Sequence, residues 1–133
     1  MKNAITILVL FFTVYSFSQT KKEIQSELDL KTAQLELFQA DWNNDNHIYD
    51  DNLVHLNQLT EKKLDILKLQ TKFKLIGLKK NTNTYSNILA TQDVQVVKIK
   101  NDAEQERKRL EQTQKDIQMK LYEINNPSVI ETK

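Results

Sequence analysis

The chain has 133 residues, 28% of them charged and 39% hydrophobic, with one Gly, one Pro, no Cys and a formal net charge of +1. That length suits one domain, and Gly and Pro contents far below the usual ~7% and ~5% argue against sandwiches and barrels, whose tight turns consume both residues. Without cysteine there is no disulfide scaffold, cysteine nucleophile, thiolate zinc site or iron–sulfur cluster.

Met1, Lys2 and Asn3 form a short, positively charged start, and an apolar run follows from Ala4 to Phe17. Ser16-Phe17-Ser18 then places small residues at the spacing of a cleavage site, leaving Gln19 as the new N-terminus. This is the pattern of a secretory signal peptide over residues 1–18. A run of about 14 residues rises only ~21 Å as a helix, too little for a ~30 Å hydrocarbon core. No Cys follows it to carry a lipid. The expected destination is periplasmic or secreted, without a lipid anchor. Cleavage takes Lys2 away from 19 basic residues and leaves them level with the 18 acidic ones. A mature chain of zero net charge has no overall field to draw it onto nucleic acid.

The mature chain reads as three helices. Thr20 and Glu23 have capping-box spacing at the start of the first, predicted over about 20–42. Ile24, Leu28, Leu35, Phe38 and Trp42 make its apolar stripe. The Asx-rich stretch from Asp41 to Asn46 should end it, because short polar side chains compete for backbone groups.

Asp50 and Asp51 suit the start of a second helix and Lys79 and Lys80 its end, giving a prediction of about 50–80. At 100° per residue, Leu64, Leu67, Leu75 and Leu78 fall on one face and Ile66, Leu69, Phe73 and Ile76 on a nearly opposite one. A helix apolar on two sides wants a neighbour on each. The stretch Leu67 to Leu75 also alternates at strand period, and Val94 to Lys100 is rich in β-branched residues. A hairpin from 66–78 and 93–100 in an α+β fold is therefore the alternative.

A third helix is predicted over about 86–124, after the polar connection Asn81 to Asn87. Leu89, Val96, Ala103, Leu110, Ile117 and Ile124 recur every seven residues, whereas the companion positions Asp93, Lys100, Arg107 and Gln114 are polar and only Leu121 is apolar. The seam is half-made for a coiled coil. Glu104–Lys108, Glu111–Lys115 and Asp116–Lys120 are acid-before-base pairs at i,i+4. Asn125-Asn126-Pro127 stops the helix, and 125–133 is expected to be a flexible tail.

Two metal readings overlap in the 41–55 segment. Asp41, Asn43, Asp45 and His47 occupy positions 1, 3, 5 and 7 of an EF-hand-like loop, with Tyr49 and Asn52 at positions 9 and 12. Asn52 lacks the second oxygen and the charge of the usual Glu. His47, Asp51 and His55 have i, i+4, i+8 spacing, which suits zinc only on one continuous helix. The plainer expectation is an Asx-rich turn with solvent-facing histidines. From Lys62 to Lys80, seven Lys against one Asp could meet an anionic membrane surface, although ridges of Lys divide the apolar positions in two. Trp42, the only Trp, is expected to be a core anchor.

No Gly-rich phosphate loop, nucleophile-elbow motif or H-E-x-x-H is present. No cofactor is expected, and the chain is read as not an enzyme. The fold expected is all-α, an elongated three-helix antiparallel bundle or coiled-coil-like stack spanning 19–124. Its function class is an exported interaction, scaffold or chaperone-like protein that meets a protein partner or a second copy through helical faces. The alternatives are a calcium- or zinc-responsive binding protein using 41–55, and a membrane-surface binder using 62–80.

Overall fold

A computed structural model describes residues 20–126. The leader with its cleavage site at Ser16, Ser18 and Gln19, and the tail beyond Asn126, lie outside the described residues. Among these residues there are three α-helices, α1 (Lys21–Gln39), α2 (Tyr49–Leu75) and α3 (Asn83–Asn125), with a 3-10 turn at Asn44–Asn46 between the first two. No strand occurs among the described residues, 86% of which are helical. The α+β alternative is thereby corrected. Within Leu67–Leu75 the buried residues are Leu67 and Thr71, one helical turn apart, rather than alternate positions. Leu, Lys and Gln are good helix formers, and they outweigh a period-two pattern that has no turn to close it.

Each helix begins on a non-helical residue. The Thr20 hydroxyl accepts from the Glu23 N–H at 3.2 Å, and the Thr82 hydroxyl accepts from the Tyr85 N–H at 3.3 Å. Such caps satisfy backbone donors that no helical carbonyl reaches, for about 1 kcal/mol each. Ile48 offers α2 no side-chain cap; Asp50 and Asp51 in its first turn meet the positive end of the dipole instead.

The first two helices end alike. Ala40 (φ −62°, ψ 139°) precedes Asp41 at φ 61°, and the Trp42 N–H donates back to the Gln39 carbonyl at 3.4 Å. Ile76 (φ −60°, ψ 128°) precedes Gly77 at φ 82°, and the Leu78 N–H donates to the Leu75 carbonyl at 3.1 Å. Both are type II turns, which need a left-handed residue in third place. Gly77 stops α2 at Leu75, five residues before the end predicted from Lys79 and Lys80. Lys72 and Lys74 occupy the last turn in their stead.

The middle helix packs against both neighbours, while α1 and α3 scarcely touch each other. The two-faced pattern of α2 is what this arrangement uses. The core is correspondingly thin: Ile24, Leu56, Ile66, Leu67 and Leu110 are its buried apolar residues. Ile24 is completely buried, which contributes about 1.5–3 kcal/mol in transfer terms. Lysines cross the α1–α2 seam in both directions: Lys21 Nζ lies 5.1 Å from the centre of the Phe73 ring, and Lys62 Nζ 5.0 Å from that of Phe38. These cations cover aromatic faces at the edge of a shallow interface.

At 1.5 Å per residue, the 27 residues of α2 rise about 40 Å and the 43 of α3 about 65 Å. The longer helix outruns its partner. Every residue from 115 to 125 is exposed.

Candidate functional site

The connection between α1 and α2 is the most structured polar region of the molecule. It starts at the left-handed Asp41, which throws Trp42 back across the end of α1. The Trp42 ring is parallel to His47 (centroids 3.7 Å apart, planes at 1°) and to His55 (3.9 Å, 4°). Two rings centred that close cannot share one face, so the indole lies between the two imidazoles. Phe38 stacks on the remaining face of His55 at 4.5 Å and 5°. Phe38, His55, Trp42 and His47 thus form a four-ring column, with Lys62 at its Phe38 end. Each aromatic pair of this kind adds roughly 0.5–1.5 kcal/mol beyond its buried area.

Hydrogen bonds hold the column to all three helices. Trp42 Nε1 donates to Asn44 Oδ1 at 3.0 Å, and Asn44 Nδ2 donates to Glu106 Oε1 of α3 at 2.9 Å. Glu106 also accepts from Arg109, at 2.7 Å from Nη2 and 3.1 Å from Nε. From α2, Asn52 Nδ2 donates to the carbonyls of Asn44 (2.9 Å) and His47 (3.3 Å). His55 Nε2 lies 3.4 Å from the Phe38 carbonyl. Asn43 Oδ1 accepts from the Asp45 N–H at 2.9 Å, an Asx turn that opens the 3-10 turn. The Arg109 hydrogen bonds hold the Glu106 carboxyl below the usual carboxylate range, against the opposing effect of burial. Glu106 in turn raises the Arg109 guanidinium, with a smaller contribution from Asp45.

Tyr49, Asp45, His47, Asn52, Arg109 and Leu110 are among the residues around a cavity of about 290 Å³ between this connection and α3. Asn52 is only 5% exposed, and its Oδ1 is the one buried side-chain polar atom without a partner among the described residues.

The predicted metal-site residues divide in space. Asp45 and His47 line the cavity, with Asn52 beside them; Asp41, Asn43 and His55 do not. His47 precedes α2, which starts at Tyr49, and the Trp42 ring separates it from His55. No three His, Asp or Glu side chains gather as a metal cluster among the described residues. Both histidines were expected to face solvent; His47 is exposed while giving one ring face to the column, whereas His55 is half-buried with both ring faces covered. Sequence reasoning also missed Asn44 and Glu106. Their bond spans 62 residues, and no periodicity carries a signal for it. On α3 the ion pairs run Glu104–Arg107–Glu111 and Glu106–Arg109. The arginines take acids three residues earlier, because a planar fork reaches a carboxylate bidentately where a lysine offers a single point.

Fold and site together define an all-helical protein with a polar knot at one inter-helix connection. No family model, curated protein or solved structure matches the chain.

Proposed function

We propose that the chain is an exported, non-enzymatic interaction or scaffold protein of a bacterial-type cell envelope or secretome, working as an elongated antiparallel stack once residues 1–18 are removed. The observation that carries this reading is the free end of α3. Leu110 is buried, yet its heptad stripe continues through Ile117, Leu121 and Ile124, which are 48%, 53% and 71% exposed. Large apolar side chains at such spacing, exposed along the last turns of α3, suit a seam completed by a second molecule. The Lys-rich segment supports a membrane reading less well. Its Ile66 and Leu67 are buried, and Lys62 is spent on the Phe38 ring.

Size-exclusion chromatography with light scattering on residues 19–133 tests the proposal. The expected result is a mass above the monomer that Ile117→Ser, Leu121→Ser and Ile124→Ser together abolish without loss of helical circular dichroism. A wild type that stays monomeric at every concentration removes self-association and leaves only a different protein partner. Intact mass tests export: the expected first residue is Gln19, and an exported chain that retains Met1 overturns it.

A calcium- or zinc-responsive protein is the second reading, favoured by Asp45, His47 and Asn52 around one cavity. Millimolar calcium and micromolar zinc are expected to leave the melting temperature unchanged. A calcium shift lost in Asp45→Ala, or a zinc shift lost in His47→Ala, would promote it.

A further inference from the structure

The outer face of α1 carries a pattern that packing on α2 leaves unused. Ile24 is buried, and Leu28, Leu35 and Phe38 are half-buried, on the side turned to α2. Leu30, Ala33, Leu37 and the capping residue Ala40 follow one another at steps of three, four and three. At 3.6 residues per turn they fall within about 80° of one another, nearly opposite the buried side. All four are exposed, Leu30 by 59% and Leu37 by 77%. Among the described residues α1 packs on α2 and scarcely touches α3, so neither helix covers this face.

The order of sizes along the face decides what fits it. Two helices interdigitate when a large side chain of one lies opposite a small side chain of the other. In a parallel pair of copies in register, Leu meets Leu and Ala meets Ala. In an antiparallel pair with its two-fold axis level with Leu35, Leu30 meets the partner's Ala40 and Ala33 meets the partner's Leu37. The symmetry repeats both matches, so all four positions pair large with small and the face is its own complement, as an isologous contact requires. The alanines let the helix axes approach to the close end of the ~8–10 Å range.

We propose that the outer face of α1 docks on the same face of a second copy of this chain, antiparallel, with Leu30 and Leu37 of each copy seated on Ala40 and Ala33 of the other. The surface is not the end of α3, and the pairing does not rest on that seam. Glu27, Asp29 and Glu36 border the face, and the axis brings each Glu36 near its own counterpart. Apolar contact is therefore opposed by like charge, and salt strengthens the pair by screening it. A 19-residue helix is about 28 Å long. One helix pair of that length falls below the roughly 1,200 Å² of a stable interface, so by itself it gives a reversible association too weak to persist through a column.

The test is covalent capture at high protein concentration. The chain has no Cys, so one introduced thiol reports one position. Gln34→Cys lies beside the seam and next to the axis, and a short bis-maleimide is expected to join two such chains, with a yield that rises with salt. Ser26→Cys lies on the same face, but this register holds the two copies of residue 26 about 27 Å apart, so that variant should stay monomeric. In the Gln34→Cys chain, Ala33→Gln, which lengthens the small side chain, and Leu37→Gln, which removes the large one, should each abolish joining. All these side chains are exposed, so helical circular dichroism should match wild type. Adding Ile117→Ser, Leu121→Ser and Ile124→Ser to the Gln34→Cys chain separates this face from the end of α3, and joining should persist. The proposal is overturned if Gln34→Cys fails to join, which leaves the face to a different protein, or if joining is lost with the α3 substitutions. Joining of Ser26→Cys as readily as Gln34→Cys overturns the antiparallel register. Joining that survives both Ala33→Gln and Leu37→Gln, or that falls with salt, overturns the Leu-on-Ala contact.

Discussion

The two inter-helix connections start from one backbone solution and diverge from there. Both use a type II turn at a helix end, yet one puts Gly77 in the left-handed place and the other Asp41. An L residue there costs on the order of 1 kcal/mol, less for Asp than for most, and Gly avoids the cost. The Gly77 connection is therefore a local device: a turn, a few exposed polar residues and the Thr82 cap of the next helix. The Asp41 connection tolerates an unfavourable backbone because Trp42, delivered by that turn, is held by two imidazoles and by Asn44. A strained turn backed by tertiary contacts marks the part of the molecule where the chain is over-determined, and there the cavity lies.

Removing the backing should have the largest effect. Trp42→Ala takes away two ring contacts and the Asn44 bond, and should lower unfolding free energy by about 3 kcal/mol, the low end for a large aromatic because the ring is half-buried. Urea denaturation measures it; a loss well under half that value would mean the column contributes little. Asn44→Ala should cost about 1–2 kcal/mol, since it breaks the Trp42–Asn44–Glu106 relay and leaves an indole N–H without its acceptor.

The backbone contrast itself can be reversed. Gly77→Ala should destabilise by about 1 kcal/mol. No atom lies within 4 Å of the added Cβ, so the change reads φ alone. Asp41→Gly should stabilise by about 0.5 kcal/mol, relief of the left-handed residue being partly offset by a more flexible unfolded chain. If both substitutions shift the denaturation midpoint in the same direction, the two turns are not the equivalents their dihedrals suggest.

The smallest effect is in the acid limb. Glu106 has a folded-state pKa below its ordinary value, owing first to the Arg109 hydrogen bonds. Its contribution is therefore present above the unfolded carboxylate pKa and is lost as pH falls through the lowered folded value. Glu106→Gln should remove that acid-dependent increment and leave the shape of the curve above neutral pH unchanged. An identical acid limb in the variant would show that the pair with Arg109 carries no linkage.

Much of the fold was open to reading in one dimension. Scarce Gly and Pro, the Thr20 cap and the apolar stripes imply long helices, because caps and 3.6-residue periodicity are properties of a single helix in water. The two apolar faces of α2 likewise implied a neighbour on each side. Ambiguity entered where the same residues satisfy two periods, as from Leu67 to Leu75, and where charge pointed to Lys80 while the φ of Gly77 ended the helix at Leu75. Only the tertiary structure decided the rest. Phe38, Trp42, His47 and His55 become one column because a left-handed Asp41 and a break at Ile48 bring together rings from two helices and the connection between them. Asn52 looked like a defective metal ligand; buried beneath the connection, it is a clamp on two carbonyls with one acceptor to spare. The Asn44–Glu106 bond joins residues that share neither helix nor period. Contacts of that kind depend on how elements dock, and docking is set by side-chain shape in three dimensions, which spacing along the chain does not record.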